Sequence, residues 1–355
     1  MGADDSQSLD DAGWLARGQS FEASGTAAAL TEAVACYDRA IALLQSALPQ
    51  NAAIYRRLAI AWMNRGNALQ KQIGGALDAA RAYDRALALF DLVKPADNAV
   101  LNSMGAAWLN RGHALAQLSG HDYQLEAIAS TDQAVGLLGR LPVNENLDYR
   151  LNLAGAQTNL AHQLIAHDAP DRWQKASAAV AAALALTATH EQQRAGFADL
   201  GLKARRALCQ IIGQWLIETD DPPRHAQLIA SASDAVDTGM ALGRHWETLG
   251  VPHFHPLIER LFRFGTAFYR RHQVHFLADF VLENLDPTLT SDAFAQNPAL
   301  VAIARTALED ARGDLRTQFP VIGDDAETTR RLQILQTLEE AAARLGVSTA
   351  SSAAG

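Results

Sequence analysis

The stretch Ala61-Trp62-Met63-Asn64-Arg65-Gly66-Asn67-Ala68-Leu69 decides how this 355-residue chain is read. Its centre, Trp-x-x-Arg-Gly, occurs three times: at Trp14-Leu15-Ala16-Arg17-Gly18, at Trp62 to Gly66, and at Trp108-Leu109-Asn110-Arg111-Gly112. The tryptophans are 48 and 46 residues apart. A recurring interval of this size marks an array of stacked supersecondary units, each burying its apolar face against its neighbours. Outward from each block lies a second shared pattern of two alanines seven positions apart: Ala33 and Ala40 around Tyr37, Ala79 and Ala86 around Tyr83, Ala127 and Ala134 around Thr131. A fourth copy has Ala176 and Ala183 around Val180, with Gln157 and Ala161 where Trp and Gly stood.

On these residues the chain resembles the tetratricopeptide repeat family over roughly residues 10–190. Ala61 to Leu69 is similar to that family's first helix, and Ala79 to Ala86 to its second, where small residues let two helices approach closely. Pro49, Pro95 and Pro142 stand where the family closes its unit. The resemblance implies an all-α fold: an α-solenoid of stacked antiparallel helix pairs, with Trp14, Gly18, Trp62, Gly66, Trp108 and Gly112 as the structural repeat positions. Two features depart from the family. Its unit is about 34 residues, whereas these are 46 to 49; armadillo and HEAT units share the longer period and stay open as the structural alternative. Arginine also precedes the glycine, where the family usually has an apolar residue.

Composition agrees with tightly packed helices. Alanine is abundant, and it has the best helix propensity and the least bulk; period-two β-branched runs are absent. The net charge of −9 and the lack of an extended Lys/Arg cluster argue against nucleic acid as a partner. No apolar run reaches membrane-spanning length. Cys36 and Cys209 both fall in helical patterns and read as small buried hydrophobes in a reducing compartment. Residues 1–11 are acidic without an apolar core, so no secretory signal is expected and the chain is expected in the cytoplasm.

The predicted organisation is a disordered lead (1–9), four helix pairs (10–190), a second half of degenerate helical repeats or a separate C-terminal helical domain (191–346), and a flexible tail (347–355). Helices are expected at 10–22, 28–48, 51–72, 76–93, 98–118, 123–140, 146–167 and 171–187. Beyond them, helices are expected near 190–218, 224–245, up to Arg271, and at 274–285, 297–318 and 325–345.

A helical wheel puts Trp62, Gly66 and Leu69 on one side and Asn64, Asn67 and Lys71 on the other. The later copies place Asn110, His113, Gln117, Asn159 and His162 there. Stacking would align Asn64, Asn110 and Asn159. Each amide can donate to and accept from a peptide bond, so this face is expected to hold an extended peptide or protein segment. Relatives that grip chaperone tails use basic residues one turn earlier. Ala12, Ile60, Ala106 and Gly155 occupy those positions here, so that carboxylate clamp is not implied.

Arg17, Arg65 and Arg111 flank the packing side, and Asp38, Asp84 and Asp132 recur on the second helices. In the fourth copy both vanish together, as Leu160 and Ala181. Structural ion pairs are the reading preferred over an anion-binding row. Pairing within one repeat and pairing with the next both remain open.

No P-loop, dinucleotide turn, Cys-x-x-Cys or His-Glu-x-x-His occurs. His245, His253, His255, His272 and His275 gather in the least repeat-like region, but their carboxylate neighbours lack ligand spacing, so no metal or other cofactor is expected. Aromatics from Phe262 to Tyr269 are expected to be mostly core. The function expected is a non-enzymatic interaction scaffold, serving assembly or regulation of a complex. The alternatives are a peptide- or ligand-sensing regulator, and an accessory subunit with a C-terminal metal site.

Overall fold

The computed structural model describes residues 9–47, 50–251, 254–285 and 297–318. The expected lead, the expected helix near 325–345 and the expected tail lie outside the described residues, apart from Leu9. The described secondary structure is helical, with no strand among the described residues. The chain divides into two compact units between Leu186 and Thr187.

The first unit comprises α1 (Asp11–Ser24), α2 (Ala27–Ser46), α3 (Ala52–Gln70), α4 (Ala76–Phe90), α5 (Asn98–Ala116), α6 (His121–Leu138), α7 (Leu147–Ala166) and α8 (Arg172–Thr187). It is an α-solenoid in which α1 packs on α2, α3 on α4 and α5 on α6, and each pair packs on the next. Asp10, Asn51, Asp97 and Asn146 open the odd-numbered helices, each accepting from a backbone N–H of the first turn. These caps also locate the extra length of the repeat. In the last three copies the cap stands eleven residues before the Trp position, but in the first it stands four before. Accordingly α1 has 14 residues, while α3 and α5 have 19 and α7 has 20.

The packing signature has a steric cause. A Cβ on Gly18 would lie 2.5 Å from the Tyr37 ring, and one on Gly66 would lie 2.7 Å from the Tyr83 ring. A Cβ on Gly112 would collide with the Thr131 hydroxyl. Tyr37, Tyr83, Thr131 and the fourth copy's Val180 are all fully buried, as are the paired alanines beside them. Where the second helix carries Tyr the first carries Gly, and in the fourth copy, where Val180 replaces the larger Tyr, the matching position carries the larger Ala161. That is the complementarity a close-packed interior demands.

The odd-numbered helices also pack side by side, α1 against α3, α3 against α5 and α5 against α7, more closely than the even-numbered ones meet one another. The odd helices therefore line the tighter, inner side of the stack.

The second unit comprises α9 (Ala195–Glu218), α10 (Pro222–Thr248), α11 (His255–His272), α12 (Val274–Leu285) and α13 (Pro298–Gln318). Here α11 is central, packing against α9, α10, α12 and α13. Ile258, Leu261, Phe262, Phe268 and Tyr269 on α11 are buried, so most of the aromatic run is core. Gly265 lets the Phe280 ring of α12 and Val236 of α10 approach the α11 backbone.

Candidate partner-binding face

The residues predicted to face a partner lie on the odd helices, but several are bonded within the protein. The Tyr83 hydroxyl, reaching across from α4, lies 2.9 Å from both Asn67 Oδ1 and Gln70 Oε1. Asn110 Nδ2 of α5 donates to Asn67 Oδ1 at 3.1 Å, so an amide bridge joins two adjacent odd helices. A second bridge follows, with Asn152 Nδ2 of α7 donating to Asn102 Oδ1 of α5 at 2.9 Å. One repeat earlier, the Tyr37 hydroxyl donates to Glu22 Oε2 at 2.9 Å, and Lys71 Nζ donates to Glu22 Oε1 at 2.7 Å.

At three of the predicted positions this seam supplies partners inside the protein. Lys71 is engaged by Glu22 because the end of α3 stands beside the end of α1. Asn67 is an interhelical acceptor because Tyr83 and Asn110 both converge on it. Asn110 does not stand free in a straight row with Asn64. Its amide reaches diagonally to Asn67, one helical turn along. Burial holds the Tyr83 phenol protonated far above its usual range, with the Glu22 charge acting in the same direction. Burial does the same for Tyr37, helped by its bond to Glu22.

Two groups on the same stretch of α3 carry no bond. Asn64 Nδ2 and Gln70 Nε2 are buried and have no acceptor. A buried donor left unmade costs about 1–3 kcal/mol, so such groups call for an explanation. Asn159 and His162 are half-buried on α7, while His113 and Gln117 are exposed at the end of α5. Glu22, Gln70, Asn102 and Asn152 escaped the sequence reading. For the first two a signal existed, since both stand eight residues after their tryptophan.

The arginines pair with the preceding repeat. Arg65 Nε reaches Asp38 Oδ1 at 2.7 Å, and Arg111 Nε reaches Asp84 Oδ1 at 2.6 Å. This register explains the two expected members that lack such a pair. No described aspartate stands one repeat before Arg17, which lies over Trp14 and Phe21 instead. Asp132 faces a following repeat whose position holds Leu160. Burial raises its pKa, against the opposing pull of Lys175.

Arg111 also donates to Ser130 Oγ at 2.6 Å and to Glu126 Oε2 at 3.1 Å, and covers Trp108. Its side chain is 16% exposed, against 23% for Arg65. Arg111→Ala should therefore lower unfolding free energy by about 1–2 kcal/mol, and Arg65→Ala by less than about 1. Urea titration of the two variants checks the order; equal losses would mean the extra partners of Arg111 contribute nothing.

Of the five histidines from His245 to His275, the three that are described do not converge. His245 Nε2 meets the Gln192 carbonyl at 2.9 Å, His255 lies 2.9 Å from Glu247, and His272 packs on Phe268. The His253 and His275 side chains lie outside the described residues. Among the described residues no group of three metal-ligating side chains forms. Cys36 and Cys209 are both buried and unpaired, and burial pushes the Cys209 thiol up to about 12. No described helix is long and apolar enough to cross a membrane.

No protein-family model matches the chain, and no curated protein matches it. Among solved structures it is similar to Nro1, a nuclear import adaptor of S. pombe. The identity is 12% over 92% of this chain and 96% of that one, with a TM-score of 0.41. A second Nro1 structure, described as a hypoxic regulator of sterol synthesis and a nuclear import adaptor, shows 12% identity, 92% coverage of both chains and a TM-score of 0.43. Likeness at this level is confined to broad helical character, and no partner carries across.

Proposed function

We propose that the first unit is a long-repeat module of tetratricopeptide type. In this reading the protein is a non-enzymatic scaffold, acting in assembly or regulation within the cytoplasm. Its odd-helix face holds an extended segment of a protein partner by that segment's backbone. The observation that most supports this is the unbonded amide donor Asn64 Nδ2 on the inner side of α3. A peptide carbonyl is the acceptor it lacks. A side-chain rotation that presents it to a bound backbone would recover the deficit of the free protein. The fixed Asn67–Asn110 and Asn102–Asn152 bridges favour the same use. They hold neighbouring odd helices in register, so the surface is formed before the partner arrives.

The test begins with partners recovered by affinity purification from the native cell. The segment they contribute is mapped, synthesised and titrated calorimetrically. Asn64→Ala/Asn159→Ala, which leaves the Asn67–Asn110 bridge in place, should weaken that segment by about tenfold or more, roughly 1.4 kcal/mol, while far-UV circular dichroism is unchanged. Unaltered affinity in a folded double variant would remove the amide face from the reading.

A further inference from the structure

We propose a second binding site on the other side of α3. It is a basin of about 620 Å3 lined by Trp62, Arg65, Asp78, Arg81, Asp84 and Arg85, and it takes an acidic peptide segment with an apolar or aromatic side chain beside its carboxylate. Trp62 and Arg65 project about 160° around α3 from Asn64 and Asn67 respectively, and Arg81 and Arg85 about 160° around α4 from Tyr83. The basin is thus separate from the amide face, and either can fail without the other.

The charges in the basin are unequally engaged. Arg65 is held by Asp38 and Asp84 by Arg111. Arg81 meets Asp78 at 3.2 Å, with both side chains about two-thirds exposed, so that pair is solvent-screened and easily exchanged. Arg85 is exposed and forms no ion pair with any described residue. Two exposed guanidinium groups one helical turn apart, in a chain of net charge −9, make a local cationic spot that a carboxylate fits bidentately.

The first repeat shows what this arrangement looks like when closed. Tyr37-Asp38-Arg39-Ala40 corresponds to Tyr83-Asp84-Arg85-Ala86. There the Arg39 guanidinium sits 4.4 Å above the Trp14 ring, and Trp14 is 5% exposed. In the second repeat the equivalent Arg85 does not cover Trp62. The indole is only partly buried, with Arg65 alone over it at 5.4 Å. The third repeat has Gln133 in place of the cation. So the second repeat alone combines a partly exposed indole, crossed by one arginine, with an unengaged cation on one cavity. The indole offers a flat apolar floor for a neighbouring side chain, and the arginine fork takes the charge.

The test is nuclear magnetic resonance on protein labelled at its six tryptophan indoles, the Trp62 signal being assigned by its loss in Trp62→Phe. The probes are Ac-Gly-Glu-Phe-Glu-Gly-amide, its Gln counterpart and inorganic phosphate. The acidic peptide should shift the Trp62 indole saturably, and the Gln peptide should leave it in place. Arg81→Ala/Arg85→Ala should weaken the acidic peptide about tenfold or more, whereas Asn64→Ala/Asn159→Ala should bind it as the wild type does. If the double alanine variant does not fold, Arg81→Lys/Arg85→Lys keeps the charge but not the fork, and should weaken binding severalfold. The proposal is overturned if acid and Gln peptides titrate alike or if the folded arginine variant binds normally. It is equally overturned if phosphate moves the indole as strongly as the peptide, which would make the basin a simple anion site.

Discussion

Replacing Arg205 with methionine is expected to lower unfolding free energy by about 3–5 kcal/mol, the largest single effect in the second unit. Arg205 of α9 grips Glu191, which lies in the connection before that helix, through two bonds of 2.8 Å. The two side chains are only 12% and 11% exposed. Arg205 Nε also donates to Thr238 of α10 at 3.0 Å, and the Glu191 carbonyl accepts from the Trp246 indole at 2.8 Å. Gly201 is part of the arrangement: a Cβ there would press on the Glu191 carboxylate. Methionine matches much of the arginine stem in volume but leaves the carboxylate buried without its counter-ion. The cost is that of an uncompensated charge, not the worth of the pair. Hence Glu191→Leu/Arg205→Met together should fall within about 1 kcal/mol of the wild type. Trp246 fluorescence during urea titration reads the transition locally. A single variant losing less than about 1 kcal/mol would show that water reaches the carboxylate and that the pair is not a closed one.

Gly66→Ala should cost about 2 kcal/mol, although alanine is the better helix former by about 1 kcal/mol. Three atoms of the Tyr83 ring would lie 2.7, 2.9 and 3.0 Å from the new Cβ. Carbon atoms rest comfortably at about 3.5–4.0 Å. The ring has no room to retreat, being fully buried with its hydroxyl held beside Asn67 and Gln70. So α3 and α4 must separate, and the Ala79 and Ala86 contacts loosen with them. The fourth repeat, which pairs Ala161 with Val180, supplies the remedy. Gly66→Ala/Tyr83→Val should be less damaged than the sum of its single changes by about 1 kcal/mol or more. Gly136→Ala on α6, where a Cβ meets nothing within 4 Å, is the control and should be neutral or mildly stabilising. Strictly additive losses in the double variant would mean that the ring and the glycine do not constrain each other.

Much of this molecule was legible because its information is local. The Trp, Gly and paired-Ala positions placed the helix pairs, and prolines marked connections between them. Helix periodicity and capping depend on residues three or four apart, which one sequence displays in full. The second unit was less legible. Its order comes from α11 packing against four other helices, and no fixed period announces such contacts.

The candidate site divides along the same line. By itself the sequence determined which residues share one side of each odd helix, because the wheel angle follows from helical geometry. It also determined that arginine and aspartate recur together. What only the tertiary structure decided is their register. In an array, an arginine and an aspartate found once per repeat produce the same sequence pattern whether they meet inside a repeat or across the boundary between two. Only the packed helices choose, and Arg65 with Asp38 and Arg111 with Asp84 lie across the boundary. The same holds for the amides. Asn64, Asn67 and Asn110 share one face, but which stays open depends on where the Tyr83 hydroxyl arrives from the neighbouring helix, a distance set by packing and not by periodicity.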